Sequence, residues 1–367
     1  MIATAPGPAK ISRDAPEIIA EVQRRFGTVP PPDPPDFDPS EAEPDQLRKL
    51  GIPPKPDPAL HPEYFRLWSR IYGRKLRFVQ TAFDLQAFLA VAYRPFYRRE
   101  LVAAESRIET SENWSGAYIT ANDDKTFDFV AGMWKVPTPK QPASAPSQSV
   151  VDYACSTWIG LDGQRRYRNS SLPQIGTSQT LKVAGNTQTL EAQAWTQWWA
   201  RGQINVGPIP ITILDSSNKP VPFPVGFGDI IACGILVVTP SAVIMTMVNL
   251  STTPIPTIAV VPVLAPSFGP IQLEVSGATA EWVMERPTIV GTTDLANFPD
   301  YGDVDFPICF ATESPAPLGP QSFRVLDGAR FIRMYEVPPD RRSTRFISMP
   351  ARKGSFSIGA SYGDFKT

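Results

Sequence analysis

Residues 280–288 read Ala-Glu-Trp-Val-Met-Glu-Arg-Pro-Thr, two glutamates set into a stretch otherwise built like a sheet strand. Strand side chains alternate between faces, so Glu281, Val283 and Glu285 share one side while Trp282, Met284 and Arg286 take the other. Two carboxylates on one surface could move protons; a solvated strand edge with Trp282 tucked into the core accounts for the same pattern. Two further segments carry mixed polar and indole surfaces. In QAWTQWWA (193–200) alternation groups Gln193, Trp195, Gln197 and Trp199, and in STWIGLDG (156–163) it groups Trp158, Gly160 and Asp162 against Ile159 and Leu161. Such faces suit an extended polymer laid across a sheet, and equally a sheet surface rich in large aromatics.

The chain excludes several chemistries. His61 is the only histidine and lies in a Pro-rich leader, so a Ser-His-Asp or Cys-His engine lacks its base, and a catalytic zinc lacks its usual ligands. No Asp followed by Thr or Ser and Gly marks a paired-aspartate peptidase, and no Gly-rich phosphate loop is present. An enzyme built from what remains uses a carboxylate for acid–base work, supported by amides or hydroxyls, with no cofactor. A balance of 35 Lys+Arg against 36 Asp+Glu offers no global field to nucleic acid or to an anionic membrane. Cys155, Cys233 and Cys309 are widely spaced, so at most one disulfide forms. The apolar tract 230–250 is long enough to raise a membrane helix. Thr239-Pro240-Ser241 breaks it, and its Val and Ile content predicts two buried strands joined by a tight turn.

The elements that must carry these residues change along the chain. Of 41 prolines 14 fall within residues 1–60, which predicts an extended leader around VPPPDPPDFDP. Asp14 and Pro16 can start a short helix whose Ile18, Ile19, Val22 and Phe26 share a face before Gly27. Tyr64, Leu67, Trp68 and Ile71 recur at helical spacing, and Phe83 through Val91 form a further apolar segment. Residues 1–110 therefore form a Pro-rich, partly helical extension, either an accessory region or a pro-segment that covers a site until removed. From residue 111 to 367, short Val/Ile/Thr/aromatic runs alternate with Pro, Gly, Asn and Asp clusters, which predicts an all-β domain, an antiparallel sandwich or barrel.

With these residues in view, the sequence resembles the glutamic peptidases, the eqolisin family of acid endopeptidases. The resemblance rests on NWSGA (113–117), WKVP (134–137), STWIGLDG (156–163) and SLPQIGT (171–177). It continues through QAWTQWW (193–199), the tract 228–252, AEWVMERP (280–287) and LANF (295–298). It implies a concanavalin A-like β-sandwich of two antiparallel sheets that binds protein or peptide substrates across a concave face, as a secreted monomer. By motif the catalytic pair falls on Gln174 and Glu285, with Trp158, Asp162, Gln193, Trp195, Gln197 and Trp199 as substrate-binding positions and Glu281 a neighbour of Glu285. Where family members carry acidic groups this chain has Gln193 and Gln197, and QRRYR (164–168) adds a basic cluster near the groove. The opening residues lack an apolar stretch after a basic start, which departs from a conventional secretion signal.

Two other readings remain open. A glycoside hydrolase on a similar sandwich also carries glutamates four residues apart, but a retaining pair needs carboxyls about 5–5.5 Å apart, whereas four strand residues span roughly 13 Å. A non-catalytic module binding peptide or carbohydrate would keep the aromatic groove without turnover. If the leader is a pro-segment, autolysis near residues 100–112 is expected. Asn113, Asn169 and Asn249 each begin an N-x-S triplet.

Overall fold

The computed structural model describes residues 16–94, 108–143, 150–163, 171–200, 207–268, 271–315, 322–337 and 345–365. The leader tip, the 164–168 cluster, Asn169 and most of the expected autolysis region lie outside these residues.

Among the described residues, most of the chain is strand, gathered into two large sheets of eight and eleven strands. The apolar tract 230–250 forms the predicted hairpin, Ile230–Thr239 against Ala242–Asn249. Both of its faces are covered, which is why it reads as one continuous apolar run. Ile231, Cys233, Ile235, Val243, Met245 and Met247 point into the core shared with the other sheet. Ala232, Leu236 and Val248 point the opposite way, under residues of the N-terminal extension.

The eleven-stranded sheet carries, in spatial order, Thr187–Ala200, Ser171–Ala184, Val150–Leu161, Thr279–Glu285 and Trp114–Thr120. Alternation sorts these strands as the sequence predicts. Ile159, Leu161, Trp198, Trp282 and Met284 enter the core between the sheets, while Trp114, Tyr118, Trp158, Trp195, Trp199 and Val283 cluster on the outer face. Two indoles tie the sheets together: Trp282 Nε1 donates to the Ala131 carbonyl at 2.8 Å, and Trp134 Nε1 to Thr177 Oγ1 at 3.1 Å.

The extension supplies four helices: α1 Pro16–Arg25, α2 Pro44–Lys49, α3 Pro62–Tyr72 and α4 Leu85–Ala90. Each of the first three begins with proline, whose fixed φ suits a first helical turn. α3 lays Tyr64, Leu67, Trp68, Ile71 and Tyr72 onto the outer face of the eight-stranded sheet, against Phe129, Met133, Leu236 and Phe310. Burial of such side chains contributes about 1.5–3 kcal/mol each, so losing this cover would consume most of an ordinary stability margin of about 5–15 kcal/mol. Leu76–Val79 joins the same sheet beside Thr257–Leu264, and Ile108–Ser111 pairs with Arg330–Glu336. Both pairings are parallel. They depart from the expected all-antiparallel sheets because these strands arrive from the distant N-terminal part of the chain instead of through a hairpin. Helix α3 and Leu76–Val79 thus cover the face and edge of the eight-stranded sheet, while Ile108–Ser111 joins the eleven-stranded one.

Cys155, Cys233 and Cys309 are all free and buried, so none of them forms a disulfide. Asn113 and Asn249 are also buried, which removes both from glycan attachment. No described helix is long and apolar enough to cross a membrane.

Candidate active site

Cross-strand register lays the outer face out as rows. Glu285 lies opposite Trp114 on one side and Ser156 on the other, and that row continues through Ser178 to Gln193. The next row runs Gly116, Val283, Trp158, Gly176, Trp195, and the one after it Tyr118, Glu281, Gly160, Gln174, Gln197. Six of the expected residues therefore share one face with Glu281 and Glu285, as alternation required: Trp158, Gln174, Gln193, Trp195, Gln197 and Trp199.

Glu285 is fully buried and held by side-chain N–H groups. Trp158 Nε1 donates to Oε2 at 2.7 Å, while Trp114 Nε1 and Asn113 Nδ2 donate to Oε1 at 3.1 and 3.2 Å. Asn113 is itself oriented by Ser111, whose hydroxyl donates to Asn113 Oδ1 at 3.0 Å and accepts the Trp114 backbone N–H at 3.1 Å. Asn113 was noted from sequence only as the start of an N-x-S triplet, and neither it nor Trp114 was expected as a site residue, although both open the NWSGA motif. Their signal was a pair of N–H donors three and four residues after Thr110, placed by pairing opposite a strand whose partner only register could name.

Gln174 donates from Nε2 to Gln197 Oε1 at 2.8 Å, and its own Oε1 is buried without a bond to any protein group. Trp195 Nε1, one row away on the neighbouring strand, is likewise buried and unbonded. An acceptor and a donor side by side match the C=O and N–H that a peptide presents. Gln174 and Glu285 do not touch. They stand on strands either side of Val150–Leu161, offset by two rows, and Trp158 occupies the gap. Its indole nitrogen reaches Glu285 while its far ring edge leans over Gly160, where a Cβ would come within 3.0 Å of Cζ3. Gly176, opposite Trp158, has no room for a Cβ, which would sit 2.5 Å from that of Trp158.

Glu281 and Asp162 have different employment. Thr279 Oγ1 donates to Glu281 Oε1 at 2.5 Å, and the carboxyl is fully buried. Burial, followed by the nearby Asp162 charge, raises its pKa well above the ordinary carboxylate range, so it holds its proton through acid pH. Asp162, with a left-handed φ of 67°, accepts from Ser276 Oγ at 2.8 Å, Ala278 N at 2.7 Å, Gly277 N at 3.2 Å and Ser276 N. Its carboxylate is spent on the 276–278 turn that leads into the glutamate strand. Burial also raises the Asp162 pKa, against the lowering effect of those bonds. Among the described residues, no group of three or more His, Cys, Asp or Glu side chains could hold a metal ion.

The Peptidase A4 family model matches residues 112–333. The chain is similar in structure to scytalido-glutamic peptidase with a transition state analog inhibitor, at 17% identity and a TM-score of 0.45, covering 69% of this chain and 98% of the other. It is also similar to SCP-B, a member of the eqolisin family of peptidases in complex with the tripeptide Ala-Ile-His. There the identity is 18% and the TM-score 0.44, with the same 69% and 98% coverage. No curated protein matches. The family model spans more than half of the chain, including every residue of the rows above, and on that ground the chain belongs to the Peptidase A4 family, the eqolisins.

Proposed function

We propose that the protein is a secreted, monomeric acid endopeptidase that cuts protein or peptide substrates with a Glu285/Gln174 pair on the concave face of a concanavalin A-like sandwich. The observation that carries this reading is the buried Glu285 carboxylate, held by three N–H donors on the same face as a Gln174–Gln197 amide pair. Glu285 takes a proton from a water as it attacks the peptide carbonyl, then returns it to the departing nitrogen. The Gln174 amide, which does not titrate, keeps one N–H on Gln197 and turns the other to the water and the developing oxyanion. One well-placed donor of this kind contributes about 3–4 kcal/mol. Trp158 and Trp114 hold the carboxylate in place, and Trp195 offers its N–H to the substrate backbone. Gln193 ends the Glu285 row and Trp199 lies one row past Gln197, so both extend the binding face, and Asp162 acts by fixing the turn before the glutamate strand.

Burial keeps the second carboxyl, Glu281, in its neutral form more readily than an exposed glutamate. The same property weighs against a two-carboxylate glycoside hydrolase: Glu281 lies four strand residues from Glu285 and is closed in by Thr279 and the Gly163 backbone. The test is digestion of a denatured protein across the acid and neutral range, with mass spectrometry of the products. Peptides released at acid pH by the wild-type chain, and by neither Glu285→Gln nor Gln174→Ala, are expected. Full activity in Glu285→Gln would remove the mechanism, and no products from the wild type at any pH would favour a binding module.

A further inference from the structure

The strand that carries Gln193, Trp195, Gln197 and Trp199 has a weakly covered outer edge. Among the described residues, Trp195 and Thr196 pair on that side with the two-residue strand Ile209–Pro210, and the Ala194 carbonyl accepts the Ile211 N–H at 2.9 Å. Beyond Thr196 an outward-facing carbonyl needs a donor from elsewhere, because an unpaired buried carbonyl costs free energy. Trp198 sits there, between Gln197 and Trp199, its side chain in the core and its indole N–H on Ser171 Oγ at 2.8 Å.

The group that meets the Trp198 carbonyl comes from the leader. Arg25, at the end of α1, is only 3% exposed, and its Nη2 donates to Trp198 O at 3.2 Å. Its Nε donates to Leu264 O, also at 3.2 Å, on the last residue of an eight-stranded-sheet strand. One guanidinium therefore spans the two sheets at the rim of the groove. Among the described residues no carboxylate forms an ion pair with Arg25; its hydrogen bonds go to carbonyls and the Glu21 charge acts only at longer range, an arrangement that survives only with good geometry. Burial lowers its pKa to about 10, which leaves it charged throughout the acid range. The rest of α1 is anchored independently: Gly27 N donates to Pro262 O at 2.9 Å, and Val22 packs with Phe88 of α4 and Ile209 of the edge strand.

We propose that residues 16–94 remain in the working enzyme as a wall of the sandwich, and that Arg25 is a positioning residue that fixes the groove strand through Trp198 and so sets the Gln197–Gln174 hydrogen bond. The proposal rests on the reading of Gln174 as a member of the catalytic pair. The experiment compares wild type, Arg25→Met and Arg25→Lys by kcat, KM and melting temperature, with intact-mass analysis of the active species. In Arg25→Met, assayed well below its melting temperature, kcat is expected to fall about tenfold or more with KM little changed, since the effect runs through the catalytic amide. Arg25→Lys, whose ammonium reaches one carbonyl but not both, should fall between. The active chain should still contain residues 16–94. Wild-type kcat in both variants, or an active species beginning beyond residue 94, would overturn the proposal, and the mass arm stands even if Arg25→Met does not fold. Full activity in Gln174→Ala would instead sink the catalytic pair, leaving the mass result to judge the wall.

Discussion

The two outward faces of this molecule are built from the same strand chemistry and put to opposite uses. The outer face of the eight-stranded sheet presents Phe129, Met133, Leu236 and Phe310, and helix α3 closes over it with aromatic and aliphatic side chains. The outer face of the eleven-stranded sheet presents Trp114, Trp158, Trp195 and Trp199 interleaved with Glu281, Glu285, Gln174 and Gln197. The first face holds few polar groups and the chain meets them itself, Thr246 Oγ1 with the Tyr72 hydroxyl at 3.4 Å and Asp128 with the Thr312 hydroxyl at 2.5 Å, so a largely apolar cover suffices. A face that mixes indole N–H, amide and carboxyl needs partners with hydrogen-bonding groups, and those left without protein partners are the ones a peptide could meet. What separates a roofed face from a working one is thus the stock of buried polar groups, not the amount of apolar surface.

Four substitutions would break or sharpen that contrast. Glu285→Gln is expected to lower kcat by about 10²–10⁴-fold while near-ultraviolet circular dichroism stays native, because proton transfer is lost and packing is kept. On the other face, Trp68→Ala should cost about 3–5 kcal/mol of stability in a urea titration, through a large cavity and the orphaned Pro53 carbonyl that its indole now holds at 3.0 Å. Its kcat, measured where the protein is folded, should be close to wild type; a large fall there would erase the division between roof and site. Trp158→Phe removes the 2.7 Å donor to Glu285 and should reduce transition-state stabilisation by about 1.5–3 kcal/mol, read as kcat/KM.

The smallest effect concerns pH. Folded Glu281 holds its proton more tightly than it does in the unfolded chain, so its contribution to stability is complete below the ordinary glutamate pKa and is lost as pH rises toward the raised folded value. Glu281→Gln has no proton to lose and should flatten the fall in urea midpoint between acid and neutral pH. An unchanged slope would mean that other groups set the alkaline limit.

Period-two alternation placed Glu281 and Glu285 on one side and Trp282 and Met284 on the other, and it grouped Gln193, Trp195, Gln197 and Trp199 correctly, because a strand's faces are a local property. Helical spacing did the same for Tyr64, Leu67, Trp68 and Ile71, and the Thr239-Pro240-Ser241 break located the hairpin. Contacts made at long range were not legible. Asn113 reaches Glu285 from 172 residues away and Arg25 reaches Trp198 from 173, and nothing in either local pattern names its partner. Asp162 illustrates a subtler limit: alternation gave its face, but the left-handed backbone just past the strand end turned its carboxylate onto the 276–278 turn.

The parallel pairing of Leu76–Val79 with Thr257–Leu264 also sets a clock on the newborn chain. The leader leaves the ribosome roughly 180 residues before the strand it must lie beside. At about 5–20 residues per second that is a wait of roughly 10–40 s, during which Leu67, Trp68 and Ile71 have no sheet to rest on. Synthesis of this protein therefore includes an interval in which the aromatic face of α3 is open to chaperones, and to other copies of itself.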